Sequence, residues 1–413
     1  MKIGIFRSTG VYIATNILVS SLPILLLPIL TRYLSPEEYG TVAIFQSLQV
    51  FFGAIFGFSV NGFCNIKYFE VNQDKNIFSK YVGNSVILLL VSMFLGLIFL
   101  VFTSRYISEL LDINRTILFL LPFSCFAQYI IYIRLGTYQM FHKSYHYGAV
   151  NFSLALTNVM FTLILVILFK FGILGRVGAI VSSLSILSVI AIYLLRTERL
   201  IDFDYCRNMI SESFRYGLSY APIIVSASFI PLAERAVISS KLNNKDLGVY
   251  IVEIQISSGL MLMISSFMTA YTPIVYKKLS VNRVNNKTLK SEFIAFITFL
   301  LLTIFGVMSG LVNFILEFIL PDAYYSSIPL TLVLLISVAI RGGVVVWTIY
   351  FTFYKKNKFL SFVNLSTGMV GILLMYFFVE DYGIMSAGYS VLISRILALL
   401  VIFIGLFYLI KKE

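Results

Sequence analysis

The segment LTRYLSPEEYG, residues 30–40, separates two long apolar runs with a proline, two carboxylates and a glycine. Ser35 is a residue type favoured as a helix N-cap, and Pro36 suits the first helical turn. The two glutamates that follow stand where a helix N-terminus favours negative charge. The segment therefore predicts a tight corner between two helices, with Arg32 ending the first helix and Gly40 preceding the second.

Composition identifies the apolar runs as membrane spans. The chain has 413 residues, of which 59% are hydrophobic and 12% charged, with a mean hydropathy of +0.93; soluble domains carry about 25% charged residues. A bilayer core takes about 20 apolar residues per helix, and runs of that length fill almost the whole sequence. They predict an all-α integral membrane protein of about twelve transmembrane helices, at residues 10–30, 41–63, 82–104, 117–139, 147–169, 177–195, 216–238, 249–272, 292–316, 328–353, 359–379 and 384–410.

The distribution of lysine and arginine predicts the orientation of these helices. Alternate connections carry twenty basic residues on one side and seven on the other, and the positive-inside rule places the richer side in the cytoplasm. Both termini are therefore expected to be cytoplasmic. Because topology accounts for most of the net charge of +12, no nucleic-acid partner is expected.

The sequence shows no motif for covalent chemistry or cofactor binding. Its three cysteines and two histidines have neither metal-ligand spacing nor a readable disulfide framework. There is no Walker A, dinucleotide-binding or HExxH motif. An ATPase or a zinc enzyme is therefore not indicated, and no cofactor is expected.

The corner at residues 30–40 has a second copy. A shift of 208 residues places LSPEEYG, residues 34–40, over LNNKDLG, residues 242–248, and it places Pro23 over Pro231. The same shift places Arg7 over Arg215. Aliphatic matches are common between membrane segments, so the argument depends on the proline, arginine and glycine pairs.

A second pattern supports an internal repeat. At a shift of 207 residues, P-x11-R-x-G recurs at residues 122–136 and 329–343. Two lobes of six helices each are therefore predicted, residues 1–205 with a cytoplasmic linker and residues 206–413. Because six is even, both lobes face the same way and form a parallel repeat about an axis along the membrane normal. Such a repeat suits alternating access around a midplane site.

Three arginines inside predicted helices indicate the binding chemistry. Arg341 and Arg395 lie near the middle of the tenth and twelfth predicted helices, and Arg134 lies near one end of the fourth. Ionisable groups within a bilayer normally face a wet interior, and guanidinium binds phosphate in bidentate fashion without losing its charge. The three arginines predict a cationic cavity for an anionic substrate. The alternatives are a structural contact to a neighbouring helix carbonyl and, for Arg134, snorkelling to the interface.

Three further charges predict a gate or an ion-coupling site. Glu234 and Arg235 lie about one turn inside the external end of the seventh predicted helix, and Glu253 lies at a similar depth in the eighth. A pair between Arg235 and Glu253 would form an external latch, with snorkelling as the alternative. Amides of the first half are candidates for contact with sugar hydroxyls or for helix-packing hydrogen bonds: Asn16, Gln46, Gln49, Asn61, Gln128, Asn151 and Asn158.

The chain resembles a known family of exporters. The segments FRSTG at residues 6–10, LPILTRYLSPEEYGTVAIFQSLQ at residues 27–49 and LAERAVISSKLNNKDLGVYIVEIQI at residues 232–256 carry the resemblance. They are similar to the polysaccharide-synthesis branch of the multidrug/oligosaccharidyl-lipid/polysaccharide (MOP) exporters, and more narrowly to the Wzx-type O-antigen or capsule repeat-unit flippases of bacteria. The family's acidic-arginine pair falls on Glu234 and Arg235.

The resemblance implies a MATE-like fold and a non-enzymatic transporter in the bacterial cytoplasmic membrane. The implied cargo is an undecaprenyl-pyrophosphate-linked oligosaccharide, moved from the inner to the outer leaflet. The candidate partners are the lipid bilayer, a polysaccharide polymerase, a chain-length regulator, and protons or sodium ions as the coupling ion. Two alternatives remain: a multidrug or toxin antiporter of the same fold, and a membrane-embedded glycan polymerase.

Overall fold

The fold is entirely helical over the part of the chain that the structure describes. The computed structural model describes residues 2–71, 74–281, 286–310, 320–321, 328–354 and 356–412, and these residues contain no strand. The helices are α1 (Lys2–Tyr33), α2 (Pro36–Phe56), α3 (Val60–Glu70), α4 (Lys75–Leu111), α5 (Arg115–Leu118), α6 (Leu121–Met140), α7 (Ser144–Thr162) with a π-helical continuation (Leu163–Leu168), α8 (Gly172–Thr197), α9 (Arg207–Lys241), α10 (Asn244–Val281), α11 (Asn286–Met308), α12 (Ile328–Phe353), α13 (Asn357–Tyr382) and α14 (Ile384–Lys412). The predicted all-α membrane fold is confirmed.

Eleven helical segments in the described ranges are long and apolar enough to cross a membrane. They coincide with eleven of the twelve predicted spans. The other prediction, residues 216–238, falls in α9 (Arg207–Lys241), where four side chains between residues 222 and 227 lie outside the described residues, and it stays a prediction. The predicted span 292–316 is described only in part, because residues 311–319 lie outside the described ranges.

The second predicted helix, residues 41–63, is wrong as a continuous element. The structure ends α2 at Phe56 and begins α3 at Val60. Between them, Phe58 and Ser59 adopt left-handed backbone conformations with φ of 47° and 48°. Such conformations are costly for residues other than glycine and do not continue a right-handed helix. Hydropathy does not report this break, because the residues on both sides of it are apolar.

Helix α4 is longer than the predicted span of residues 82–104. Its N-terminus is capped by Asp74, whose carboxylate accepts hydrogen bonds from the amides of Asn76 and Ile77 at 2.8 and 3.3 Å. Asp112 ends the helix in a left-handed conformation, with φ of 46°. Side-chain caps satisfy the unpaired amides of a helix N-terminus, so the helix extends into polar sequence that hydropathy assigns to a connection.

The chain forms two compact units that differ from its sequence halves. Unit 1 consists of Met1–Leu22 and Thr41–Ala236, and unit 2 consists of Pro23–Gly40 and Val237–Glu413. Helices α1 and α9 thus each contribute residues to both units, and the division of α1 falls at Pro23. The two lobes drawn from the repeat, residues 1–205 and 206–413, stay a prediction.

Each unit has its own apolar core. In unit 1, buried side chains of α3, α4, α6 and α8 pack together, among them Phe78, Ile130 and Leu195. In unit 2, Trp347 of α12 packs against Phe296 of α11 and Phe403 of α14, with ring centroids 5.4 and 5.2 Å apart. Aromatic pairs at such distances add to the free energy of burial.

The corner at residues 30–40 is a capping box within unit 2. The Glu38 amide donates to Ser35 Oγ at 3.2 Å, and the Ser35 amide donates to Glu38 Oε2 at 2.9 Å. At the repeated corner the Asp246 amide donates to Asn243 Oδ1, and the Asn243 side chain donates to Asp246 Oδ2, both at 2.8 Å. The two capping residues of each corner occupy positions that are equivalent under the 208-residue shift. In both corners their side chains accept hydrogen bonds from amide groups at the start of a helix.

The two corners pack against each other inside unit 2. A Cβ atom on Gly40 would lie 2.1 Å from the Asn244 carbonyl oxygen, and one on Gly248 would lie 1.6 Å from the Pro36 carbonyl oxygen. Gly248 follows Gly40, and Asn244 follows Pro36, by the same 208 residues. The contact is therefore reciprocal under the sequence repeat, and only glycine permits so close an approach of backbone to backbone.

Candidate functional site

Arg134 of α6 is fully buried and engaged in an ion pair within unit 1. Its Nη2 atom lies 2.6 Å from Glu198 Oε1 and 2.5 Å from the Tyr138 hydroxyl. The guanidinium also lies over the Tyr138 ring, with its carbon 3.8 Å from the centroid. Lys143 Nζ lies 3.3 Å from the other oxygen of Glu198. In this structure Arg134 thus does not face open space, and its predicted role in substrate binding stays a prediction.

Glu198 lies just beyond the end of α8, and its pKa reflects these partners. Partial burial acts to raise the pKa of this carboxyl, but the hydrogen bond and charge of Arg134, followed by those of Lys143, outweigh it and lower the pKa from its usual value. A carboxyl whose pKa is lowered on folding stabilises the folded state at pH values above its unfolded pKa. That contribution is lost as the pH falls through the lowered pKa.

We expect Glu198→Gln to destabilise the protein by about 3 kcal/mol, because removing one partner leaves the buried charge of Arg134 uncompensated. The measurement is the thermal midpoint of the purified protein in detergent, followed by circular dichroism. On acidification through the lowered pKa of Glu198, the wild-type midpoint should fall further than that of the variant.

The matched control is Glu109→Gln, which removes an exposed pair with Arg105 (N–O distance 3.0 Å). Its effect should stay below about 1 kcal/mol, because exposed ion pairs are screened by water. Equal thermal midpoints for the Glu198 and Glu109 variants at neutral pH would contradict the role of Glu198 as the countercharge that stabilises buried Arg134.

Arg341 and Arg395 lie at about the same level on adjacent, parallel helices of unit 2. Three contacts set the register of α12 and α14: Leu330 with Gly388, Trp347 with Phe403, and Phe351 with Gly405. In each contact the residue of α14 follows its partner in α12 by 54 to 58 residues. Arg395 follows Arg341 by 54 residues, so the two arginines lie at about the same height along the paired helices. Arg341 is exposed and Arg395 half-buried. Helices α12 and α14 contain no aspartate or glutamate, so their charge at this level is positive.

The repeat gives Arg134 and Arg341 equivalent sequence positions but different surroundings. Each follows, by twelve residues, a proline at the second position of its helix, Pro122 in α6 and Pro329 in α12. Arg134 is buried against Glu198, whereas Arg341 is exposed near the middle of α12. An arginine exposed at mid-span is costly against lipid and normally faces a hydrated space. The two equivalent arginines therefore differ in exposure, and the substrate-binding roles of Arg341 and Arg395 stay predictions.

Arg235 of α9 binds helix α2 within unit 1. Its Nη1 atom donates to the Ala43 carbonyl oxygen at 2.8 Å and also to Ser47 Oγ. Glu234 beside it is half-buried. Arg235 thus makes a structural contact to a helix carbonyl, and the roles of Glu234 and Arg235 in gating or ion coupling stay predictions.

Glu253 of α10 is fully buried in unit 2 and accepts a hydrogen bond from Thr331 Oγ1 of α12. Burial of a carboxylate is tolerated where hydrogen-bond donors or opposite charges compensate it. The predicted latch between Arg235 and Glu253, and a coupling role for Glu253, stay predictions.

Four of the seven candidate amides, all in unit 1, lie in two polar clusters. In the first, Asn16 Oδ1 of α1 accepts from the Tyr147 hydroxyl and from Asn151 Nδ2 of α7, both at 3.4 Å. In the second, Gln49 of α2, Gln128 and Tyr132 are linked in series by hydrogen bonds of 3.2 and 2.6 Å. Asn16 and Tyr132 are exposed, so both clusters combine helix packing with accessible polar atoms.

Sequence reasoning missed three polar residues. Glu198 lay in a predicted connection, and Glu292 stood at the boundary of a predicted span. Arg176 was assigned to a connection, but the structure places it in α8, where it is buried and bonds to Asn158 Oδ1 at 2.9 Å and Thr162 Oγ1 at 2.7 Å. In the sequence, these three residues could have been identified as charged residues within about one helical turn of the end of a predicted span. Elsewhere, among the residues that the structure describes, no three His, Cys, Asp or Glu side chains come together to hold a metal ion.

The fold is that of MOP superfamily transporters. One similar solved structure is the inward-facing conformation of a multidrug resistance MATE family transporter, with a TM-score of 0.76 and 14% identity over 95% of each chain. Another is a MOP superfamily transporter from Pyrococcus furiosus, described as having a binding pocket of reverse polarity. Its TM-score is 0.58, and the 16% identical match covers 99% of this chain and 96% of the other.

Sequence comparison identifies the family. The model for polysaccharide biosynthesis proteins matches residues 5–279, and the chain belongs to that family. A relative from Haemophilus influenzae, protein 1 of the Lsg locus, is 24% identical over 368 residues, which cover 86% of this chain and 87% of the relative. The predicted family is thus confirmed, together with the multi-pass membrane architecture.

Proposed function

We propose that this protein is a flippase that carries undecaprenyl-pyrophosphate-linked oligosaccharide repeat units from the inner to the outer leaflet of the bacterial cytoplasmic membrane. Both termini lie in the cytoplasm in this proposal, and the protein performs no covalent chemistry. Membership of the polysaccharide biosynthesis family supports a glycan as cargo, and the MOP transporter fold supports movement by alternating access.

The observation that carries the proposal is the pair of arginines at one level of α12 and α14. A pyrophosphate linkage is anionic at both phosphates, and guanidinium groups bind such oxygens through charge-assisted hydrogen bonds. Arg341 is exposed at mid-span and Arg395 is half-buried beside it. Without a nearby carboxylate from either helix, this level of unit 2 favours an anionic cargo over a cationic drug.

The polar clusters of unit 1 suit the sugar part of the cargo. Asn16, Gln128 and Tyr132 offer both donors and acceptors, and Asn16 and Tyr132 are exposed. Sugar hydroxyls need partners of this mixed kind, whereas the polyprenyl tail needs none and can remain in lipid. The glycan and its pyrophosphate thus cross a hydrated path while the tail stays in the bilayer.

The test is the leaflet location of the lipid-linked glycan in cells that lack this protein. Spheroplasts are treated with a membrane-impermeant glycosidase, and the lipid-linked glycan is then extracted and quantified. We expect the glycan to be protected in the deletion strain and cleaved after complementation with the wild-type gene. If single units are cleaved in the deletion strain but no polymer forms, the protein is a polymerase and the flippase proposal fails.

A further inference from the structure

The connection between α8 and α9 is held against α4 within unit 1. Residues 201–206, which form neither helix nor strand, are called the linker segment here. The Asp202 amide donates to the Ser79 carbonyl oxygen of α4 at 3.0 Å. A Cβ atom on Gly83 would lie 1.7 Å from the Asp202 carbonyl oxygen, so the linker segment contacts the backbone of α4 directly.

Asn84 of α4 binds both the linker segment and the start of α9. Its side chain is fully buried. Its amide nitrogen donates to the Asp204 carbonyl oxygen, and its Oδ1 atom accepts from the Cys206 amide, both at 2.8 Å. Cys206 immediately precedes α9, whose first turn contains no acidic residue. Asn84 therefore satisfies, from another helix, an amide at a helix N-terminus, where amides have no intrahelical partner.

The side chains of the linker segment are divided between the core and the outside of unit 1. Ile201, like Leu200 before it, is buried in the apolar core of the unit. Phe203 and Tyr205 are 47% and 67% exposed. The backbone on both sides of Phe203 is bonded to α4, which holds the two rings outside the core. Exposed apolar groups of this kind mark a surface that contacts a membrane or another protein.

The face of α4 that binds the linker segment continues as a lipid-facing surface. Val91, Leu95 and Phe102 follow Asn84 by 7, 11 and 18 residues, which is about two, three and five helical turns, so all four lie on one face. The three apolar side chains are 51%, 53% and 81% exposed, and such side chains are matched by lipid tails. The linker segment therefore lies on the lipid-facing side of unit 1, at one end of this surface.

The position of the linker segment along α4 indicates the membrane–water interface. Helix α4 has 37 residues and is about 55 Å long, whereas the hydrocarbon core is about 30 Å thick. Ser79 and Gly83 lie within about one turn of residue 82, where the predicted apolar span begins. Aromatic rings are enriched at this level of a membrane. Lys80 Nζ lies 2.7 Å from Asp204 Oδ2, so part of the acidic charge of the segment is balanced there.

We propose that the linker segment is an interfacial membrane anchor, in which α4 holds the backbone and the rings of Phe203 and Tyr205 insert among the lipid headgroups. In the orientation proposed above, these are the headgroups of the inner leaflet. The anchor keeps the start of α9 at a fixed depth. It does not depend on the identity of the cargo, so it is tested separately from the flippase proposal.

Phe203→Trp places a fluorescent probe in the anchor. Purified full-length protein is reconstituted in phosphatidylcholine liposomes whose acyl chains carry bromine either near the glycerol or near the chain end, and iodide serves as the quencher in water. The emission of the native Trp347, which is 2% exposed, is measured in the wild type and subtracted. Leu95→Trp is the matched control, because Leu95 is exposed on the same face of α4, about 16 Å further into the span than Asn84.

We expect bromine near the glycerol to quench Phe203→Trp more than bromine near the chain end, and iodide to have little effect. Leu95→Trp should show the opposite order for the two bromine positions. Quenching of Phe203→Trp by iodide without quenching by lipid would overturn the proposal, because the segment would then face water, as a surface that binds a soluble protein does. Stronger quenching of Phe203→Trp by bromine near the chain end would also contradict it.

Asn84→Ala tests whether α4 holds the anchor. Introduced into the Phe203→Trp protein, it should reduce quenching by lipid and increase quenching by iodide, because the linker segment loses two hydrogen bonds to α4. Asn76→Ala, which changes an exposed asparagine in the first turn of α4, should leave both unchanged. Quenching that is the same with and without Asn84→Ala would show that Asn84 does not hold the segment. If Asn84→Ala does not fold, Tyr205→Trp repeats the depth measurement, and any order other than that expected for Phe203→Trp would contradict the anchor.

Discussion

Replacing Arg341 by alanine is expected to reduce glycan export about 10- to 100-fold without reducing the amount of protein in the membrane. The guanidinium is exposed at the middle of α12, and a hydrogen bond to a charged group contributes about 1.5–3 kcal/mol, which corresponds to that range of rates or affinities. Export is measured by the accessibility of the lipid-linked glycan in spheroplasts, normalised to protein in the membrane fraction.

Conservative and control substitutions sharpen this prediction. Arg341→Lys retains the charge but not the planar pair of donors, so it should keep part of the activity. Arg395→Ala should impair export in the same direction as Arg341→Ala, because both arginines lie at one level of unit 2. Arg105→Ala removes an exposed arginine of α4 and should leave export unchanged. Wild-type export by well-expressed alanine variants of both Arg341 and Arg395 would remove the basis for an anionic cargo.

The second large effect is expected from Gly248→Ala. The added Cβ would lie 1.6 Å from the Pro36 carbonyl oxygen, and this oxygen belongs to the backbone of a helix N-terminus, which has little freedom to move aside. Overpacking typically costs about 1–3 kcal/mol, and a backbone clash of this size should reach the upper end of that range. The measurements are the thermal midpoint in detergent and the accumulation of the protein in membranes.

Gly306→Ala is the matched control for this substitution. Gly306 lies inside α11 with no atom within 4 Å of the Cβ position, so alanine should be neutral or stabilising by up to about 1 kcal/mol through its helix propensity. Gly40→Ala should behave like Gly248→Ala, since its Cβ would lie 2.1 Å from the Asn244 carbonyl oxygen. If Gly40→Ala and Gly248→Ala both have the thermal midpoint of the wild type, the reciprocal contact between the two corners is not needed for stability.

The sequence predicted most of the fold because membrane helices follow simple rules. Apolar length identifies spans, and the predicted span at residues 328–353 has the bounds of α12 (Ile328–Phe353). The corner at residues 30–40 was recognisable because its capping residues act on their immediate neighbours. The repeat of that corner was visible for the same reason, although the packing of Gly40 on Gly248 was not.

Features that depend on tertiary contact were not predictable. The break between α2 and α3 follows from backbone conformations at Phe58 and Ser59 that no apolar pattern reports. The pairing of Arg134 with Glu198 joins residues 64 positions apart, and one of them lay in a predicted connection. The carboxyl of Glu292 was overlooked because its burial depends on Tyr271 and Tyr350 from two other helices.

The most direct test of the central claim is transport by the purified protein in liposomes. Undecaprenyl-pyrophosphate-linked glycan is incorporated in both leaflets, and the fraction that an external glycosidase can cleave is followed over time. With wild-type protein, we predict that cleavage proceeds to completion, while liposomes with the Arg341→Ala, Arg395→Ala double variant or without protein stop at the outer-leaflet fraction. If folded wild-type protein leaves the inner-leaflet glycan protected under all tested gradients of protons and sodium ions, the protein is not a flippase for this cargo.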